Sequence, residues 1–117
     1  MGRLTTHVLD TSAGLPAAGI RIEVHDIGTD SPRLLATVST GSDGRCAAPL
    51  VEAAALVQGR YALTFFVADY FRSRGVQLPE PAFIEEAVIR IGIARPQDHY
   101  HVPLLVSPWS YSVYRGG

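Results

Sequence analysis

Ile20-Arg21-Ile22-Glu23-Val24-His25 decides the fold class. Apolar and polar side chains alternate residue by residue. In an extended chain they leave opposite faces, and one face is buried. A helix would instead repeat its apolar residues every three or four positions. Working outward, Leu4 to Leu9, Leu34 to Thr40 and Tyr61 to Val67 read as further strands. The turn signal Ser42-Asp43-Gly44 precedes a shorter apolar strand, Cys46 to Val51. Phe83 to Ile93 and His99 to Val106 are two more, parted by a turn at Arg95-Pro96-Gln97-Asp98, and Tyr111 to Tyr114 is a terminal strand. One stretch departs from this period. Asp69-Tyr70-Phe71-Arg72-Ser73-Arg74-Gly75 offers an N-cap, a short body and a glycine stop, which predicts one or two helical turns. Ala53-Ala54-Ala55 is too short to form an element. The pattern predicts an all-β fold, a two-sheet antiparallel sandwich of about eight strands with one short helix.

The chain has 117 residues, enough for a single domain over residues 1–117 with one hydrophobic core. Apolar residues make up 47% and charged residues 18%, a globular composition. The net charge is -1, and all ten basic residues are arginine. This balance disfavours a protein that tracks nucleic-acid phosphates, and the absence of lysine removes Schiff-base chemistry. The single cysteine, Cys46, rules out an intrachain disulfide framework and reads as a core thiol. The start has no apolar signal region, and no apolar run is long enough to span a membrane. A cytoplasmic protein is the expectation, with neither nucleic acid nor membrane as partner.

The chemistry-bearing residues are few. His99 and His101 lie two apart on a strand and share one face. Two such imidazoles can bind a metal, share a proton or activate a water. Pro103 follows on the same face and lacks an amide donor, which suggests an edge or a bulge. His7 faces opposite to Leu4, Thr6 and Val8, and His25 reads as solvent-facing. Arg45 follows the Asp43-Gly44 turn, where its planar guanidinium suits an anionic, planar partner. The sequence has no G-x-S-x-G elbow, no glycine-rich phosphate loop and no H-E-x-x-H helix. Histidine acid–base work with water as the attacking group is the most economical enzymatic mechanism.

Three segments together carry a resemblance. They are Leu4-Thr5-Thr6-His7-Val8-Leu9-Asp10-Thr11 with Gly14-Leu15-Pro16-Ala17, then Ser42-Asp43-Gly44-Arg45, then His99-Tyr100-His101-Val102-Pro103-Leu104-Leu105-Val106-Ser107-Pro108 with Tyr111-Ser112-Val113-Tyr114-Arg115-Gly116. In order and spacing they resemble the 5-hydroxyisourate hydrolases, the transthyretin-like enzymes of purine breakdown. Transthyretin itself lacks the histidine pair and the Tyr-Arg-Gly ending, so the tail points to the enzymes. The resemblance implies an eight-stranded sandwich, a homotetramer built as a dimer of dimers, and a site in a channel between dimers. It also implies hydrolysis of 5-hydroxyisourate to 2-oxo-4-hydroxy-4-carboxy-5-ureidoimidazoline without a cofactor or metal.

Carried over by position, the implied catalytic residues are His7, Arg45, His101 and Tyr114. His7, Arg45, Tyr114, Arg115 and Gly116 would bind the substrate, and His99 would support them. Arg45 would stabilise the oxyanion formed as water adds, while His7 and His101 handle the protons. The family usually ends Tyr-Arg-Gly-Ser, where this chain has Gly117. Two rivals remain at this stage. One is a zinc site from His7, His99 and His101; the other is a non-catalytic transthyretin-like module that binds a small ligand.

Overall fold

A computed structural model describes residues 2–117. The period-two segments pair into two sheets. Strand β1 (Arg3–Asp10) is followed by β2 (Leu15–Pro16), β3 (Arg21–Asp26), β4 (Arg33–Ser39), β5 (Val51–Glu52), β6 (Gly59–Phe65), helix α1 (Val67–Ser73), β7 (Ala87–Ile93), β8 (His99–Val106) and β9 (Tyr111–Val113). One sheet runs β2-β1-β8-β9, with β5 also paired to β1; the other runs β4-β3-β6-β7. All pairings are antiparallel except β1 with β8, which run parallel with Thr5 opposite His101 and His7 opposite Pro103.

Alternation does what it predicts. Leu4 and Val8 of β1, Ile22 and Val24 of β3, Leu63 and Phe65 of β6, and Leu104 and Val106 of β8 all face one core between the sheets, fully buried. At about 25 cal/mol per Å² of apolar surface, this shared burial is the main force holding the sheets together. Asp10 continues the inward row. Its Oδ1 accepts from Ser12 N, Ser12 Oγ and Ala13 N, and its Oδ2 accepts from the Tyr70 hydroxyl at 2.9 Å. A buried carboxylate is tolerable only when satisfied in this way. Here it ties the end of β1 to α1.

Several expectations change. The helix begins at Val67, before the expected Asp69 cap, so the strand ahead of it ends at Phe65. A main-chain bond from Ala68 N to Glu85 O at 3.1 Å serves the helix start in place of a side-chain cap. The glycine stop holds: Gly75 has φ +81°, and Val76 N donates to Phe71 O, closing the helix in a left-handed cap. The strand expected from Phe83 starts only at Ala87, because Glu85 is engaged with Ala68 and Ala82 instead of a neighbouring strand. Of Cys46 to Val51 only Val51 enters a ladder. The stretch before it, which contains Pro49, is a loop. The short strand Leu15–Pro16 had no period to announce it, and Ala53–Ala55 forms a single 3-10 turn.

Candidate active site

The outer face of β1 and β8 forms the floor of a cleft of about 430 Å³. The floor residues are outward positions of the two alternations. Thr5 comes from β1, and His99 and His101 come from β8; the wall is the loop Arg45 to Pro49, with Gly117 at one end. His99 is exposed and His101 half-buried, with ring centroids 6.1 Å apart.

The turn before Arg45 is built to press against β1. The far side of β1 is paired by β5 at its start and by β2 at its end. Between them, Val8 N donates to Gly44 O at 2.9 Å, and His7 and Arg45 form an isolated antiparallel bridge. Gly44 has φ +78°, and a Cβ there would lie 2.4 Å from Val8 O, so no other residue fits without displacing the turn. Asp43 Oδ1 accepts from Arg45 N at 3.0 Å and fixes the exit from the turn. No carboxylate among the described residues pairs with the Arg45 guanidinium.

His7 stands beside Arg45, and its Nε2 lies 2.8 Å from Asp43 O. A carbonyl oxygen only accepts, so Nε2 carries the hydrogen and Nδ1 holds the lone pair of the neutral ring. His101 Nδ1 lies 2.8 Å from Thr5 Oγ1, which leaves Nε2 as its unengaged nitrogen. Burial, then the charge of Arg45, then His99 and His7, pull the His101 pKa below the ordinary imidazole value of 6.5. His101 is therefore neutral at pH 7, the form a general base needs.

The tail is split. Gly116 N donates to His101 O at 2.7 Å, and a Cβ on Gly116 would lie 2.7 Å from His101 Cδ2. Glycine lets the tail lie flat against the imidazole. Tyr114 and Arg115 turn away from the cleft in the protomer and line a second groove with Tyr100 and Val113. Arg115 stacks over the Tyr100 ring, its Cζ 4.1 Å from the centroid. Pro103, expected at an edge or bulge, sits in the interior strand β8. Its missing donor falls between the β9 ladder, which stops at Leu104, and the His101–Gly116 bridge. His25 is half-buried on β3 and does not line the cleft.

The expected core thiol Cys46 packs against the core but is only partly buried, and it also lines the cleft wall. Burial, then Asp43, push its thiol pKa up, so it is a poor nucleophile. Among the described residues, no group of three or more His, Cys, Asp or Glu side chains is placed to hold a metal ion. The supposed zinc histidines are turned to other partners: Asp43 O takes His7 Nε2, and Thr5 takes one nitrogen each of His99 and His101. Thr5 itself was missed. Its outward position on β1 was legible, but the parallel register that sets it beside two histidines was not.

Comparison with known proteins agrees with this fold. Residues 4–116 match the HIUase/Transthyretin family. A 5-hydroxyisourate hydrolase of Pseudomonas aeruginosa is 54% identical, the match covering 99% of this chain and 92% of that protein. The crystal structure of an (S)-allantoin synthase superposes with a TM-score of 0.93 at 43% identity, over 99% of this chain and 44% of the other. The Klebsiella pneumoniae 5-hydroxyisourate hydrolase covers all of both chains at a TM-score of 0.83 and 35% identity. With the family model matched over residues 4–116 and full-length relatives above half identity, the chain belongs to the HIUase/Transthyretin family.

Proposed function

We propose that this chain hydrolyses 5-hydroxyisourate to 2-oxo-4-hydroxy-4-carboxy-5-ureidoimidazoline in urate and purine catabolism. It does so as a single domain, residues 1–117, working in a cytoplasmic homotetramer. The observation that carries the reading is a polar cleft lined by Arg45, His99 and His101, with His7 bridged to Arg45 beside it. The relatives of P. aeruginosa and K. pneumoniae bear the name of this activity.

The substrate is a small, planar, oxygen-rich ring. Arg45, free of carboxylates, holds a carbonyl oxygen through paired N–H bonds and stabilises the oxyanion as water adds. His101, neutral and with Nε2 open, takes the proton of the water. His7, with the lone pair of Nδ1 open, accepts a hydrogen bond from the water and orients it. Gly116 backs His101. Tyr114 and Arg115, turned to the second groove in the protomer, act on the substrate in the assembled channel. Large apolar side chains left exposed, among them Leu15 at 62% and Trp109 at 58%, suit a chain that buries further surface on assembly. None of these steps draws on a cofactor.

Alanine at His7, Arg45 and His101, one at a time, tests the assignment. Each variant is expected to lose at least about a hundredfold in kcat/KM, the scale of one acid–base or oxyanion contact. Near wild-type turnover in both histidine variants would sink the mechanism.

A further inference from the structure

Thr5 stands opposite His101 in the parallel ladder and one outward step from His99. Its Oγ1 is 2.8 Å from His101 Nδ1 and 2.8 Å from His99 Nε2. A hydroxyl has one proton to give and lone pairs to receive. It can donate to only one of these nitrogens, and the other must carry its own hydrogen. The tautomers of the two histidines are therefore tied to each other through one side chain. The neighbouring Thr6 cannot substitute, since its hydroxyl faces the core and donates to Val102 O at 2.7 Å.

Base catalysis by histidine needs a third group to hold the ring in the right tautomer, and a carboxylate often fills that place. Here the charged and titratable groups that face His101 are Arg45 from the turn, His99 on its own strand and His7 on β1, with Arg3 and Cys46 also on the cleft. No carboxylate among the described residues bonds to His101. Thr5 is the side chain at Nδ1.

We propose that Thr5 is a positioning residue for the hydrolysis. Its hydroxyl accepts from Nδ1–H of His101, which leaves Nε2 bare toward the cleft, and it donates its own proton to His99 Nε2. The inference rests on the reading of the cleft as a hydrolase site. The proton balance is then simple. His101 Nε2 takes one proton as the water oxygen bonds to the acyl carbon. The C–N bond breaks, and the same proton passes from Nε2 to the leaving nitrogen. His101 ends neutral in its starting tautomer, and the new carboxyl group ionises into solvent. While His101 is charged, its Nδ1–H···Oγ1 bond becomes charge-assisted and stronger.

The test pairs nitrogen NMR of the histidines with kinetics on Thr5→Val, which keeps the shape and removes the hydroxyl, and on Thr5→Ser, which restores it. In the unliganded wild-type protein at about pH 8, His101 is expected as the Nδ1–H tautomer with Nε2 bare, and His99 with Nε2 bare. Thr5→Val is expected to lose that fixed tautomer and to drop kcat by about 10- to 100-fold, the range for removing a group that orients a working histidine. KM should stay within about threefold, and Thr5→Ser should keep both tautomer and rate within about threefold. A wild-type His101 with the hydrogen on Nε2, or a Thr5→Val protein with wild-type kcat, would overturn the proposal. Absence of 5-hydroxyisourate hydrolysis by the wild type would instead overturn the functional reading, and the NMR measurement would still decide what Thr5 does.

Discussion

At the scale of single residues, the site rests on the electrostatics of His101. Its pKa lies below 6.5, first through burial and then through Arg45. Since the neutral imidazole is the base, activity is retained above the lowered value and lost as pH falls through it. The kcat/KM profile is expected to be flat from about pH 7 to 8 and to fall with an acid midpoint below the ordinary histidine value. Arg45→Ala removes one of the cations that oppose protonation, so it should raise the His101 midpoint. Burial remains, so the midpoint should stop short of 6.5. Proton NMR titration of the His101 ring in wild type and variant checks the sign. A midpoint that fell, or did not move, would remove Arg45 from the neighbourhood of His101. Gly117, where the family resemblance leads one to expect a serine, lines the cleft.

At the scale of elements, the arginine reaches the cleft only because the turn from Gly41 to Arg45 docks on the middle of β1. The dock has three parts: the left-handed Gly44, the Val8 N to Gly44 O bond and the Asp43 carboxylate on Arg45 N. Gly44→Ala places a methyl group 2.4 Å from Val8 O on a backbone that L residues avoid. It is expected to cost about 1–3 kcal/mol of stability, read from the urea midpoint, and more than about tenfold in kcat/KM at temperatures where it remains folded. A variant with wild-type values of both would show that the turn is not held as described. Strands β1, β3 and β8, the glycine stop of α1 and the outward rows carrying His7 and the His99–His101 pair were legible because period two is a local property. Phe83 to Glu86 misled because an apolar residue near a strand reads as strand until its neighbours take other partners. The pairing of Thr5 with the histidines joins residues more than ninety positions apart. No local pattern encodes that register, and the parallel direction of β1 and β8 is set by the whole sandwich.

At the scale of the whole molecule, one small sandwich presents its site as an open cleft on an outer sheet face. The protomer turns Tyr114 and Arg115 into a separate groove. Of the motif residues, Arg45, His99 and His101 line the cleft, His7 is bridged to Arg45 and Gly116 to His101, while Tyr114 and Arg115 line the second groove. In the proposed homotetramer, a neighbouring chain that closes the cleft into a channel would give Tyr114 and Arg115 their place at the substrate. Light scattering on the purified protein is expected to give four times the 12.6 kDa chain mass. A monomer with full activity would show that the site needs no neighbour.

The central claim is that this cleft hydrolyses 5-hydroxyisourate, and the most direct test is an ultraviolet assay with freshly made substrate. The purified wild-type protein is expected to speed its disappearance at least about a thousandfold over uncatalysed decay at the same pH, with His101→Ala falling back toward that decay. Disappearance at the uncatalysed rate in the presence of folded wild-type protein would contradict it.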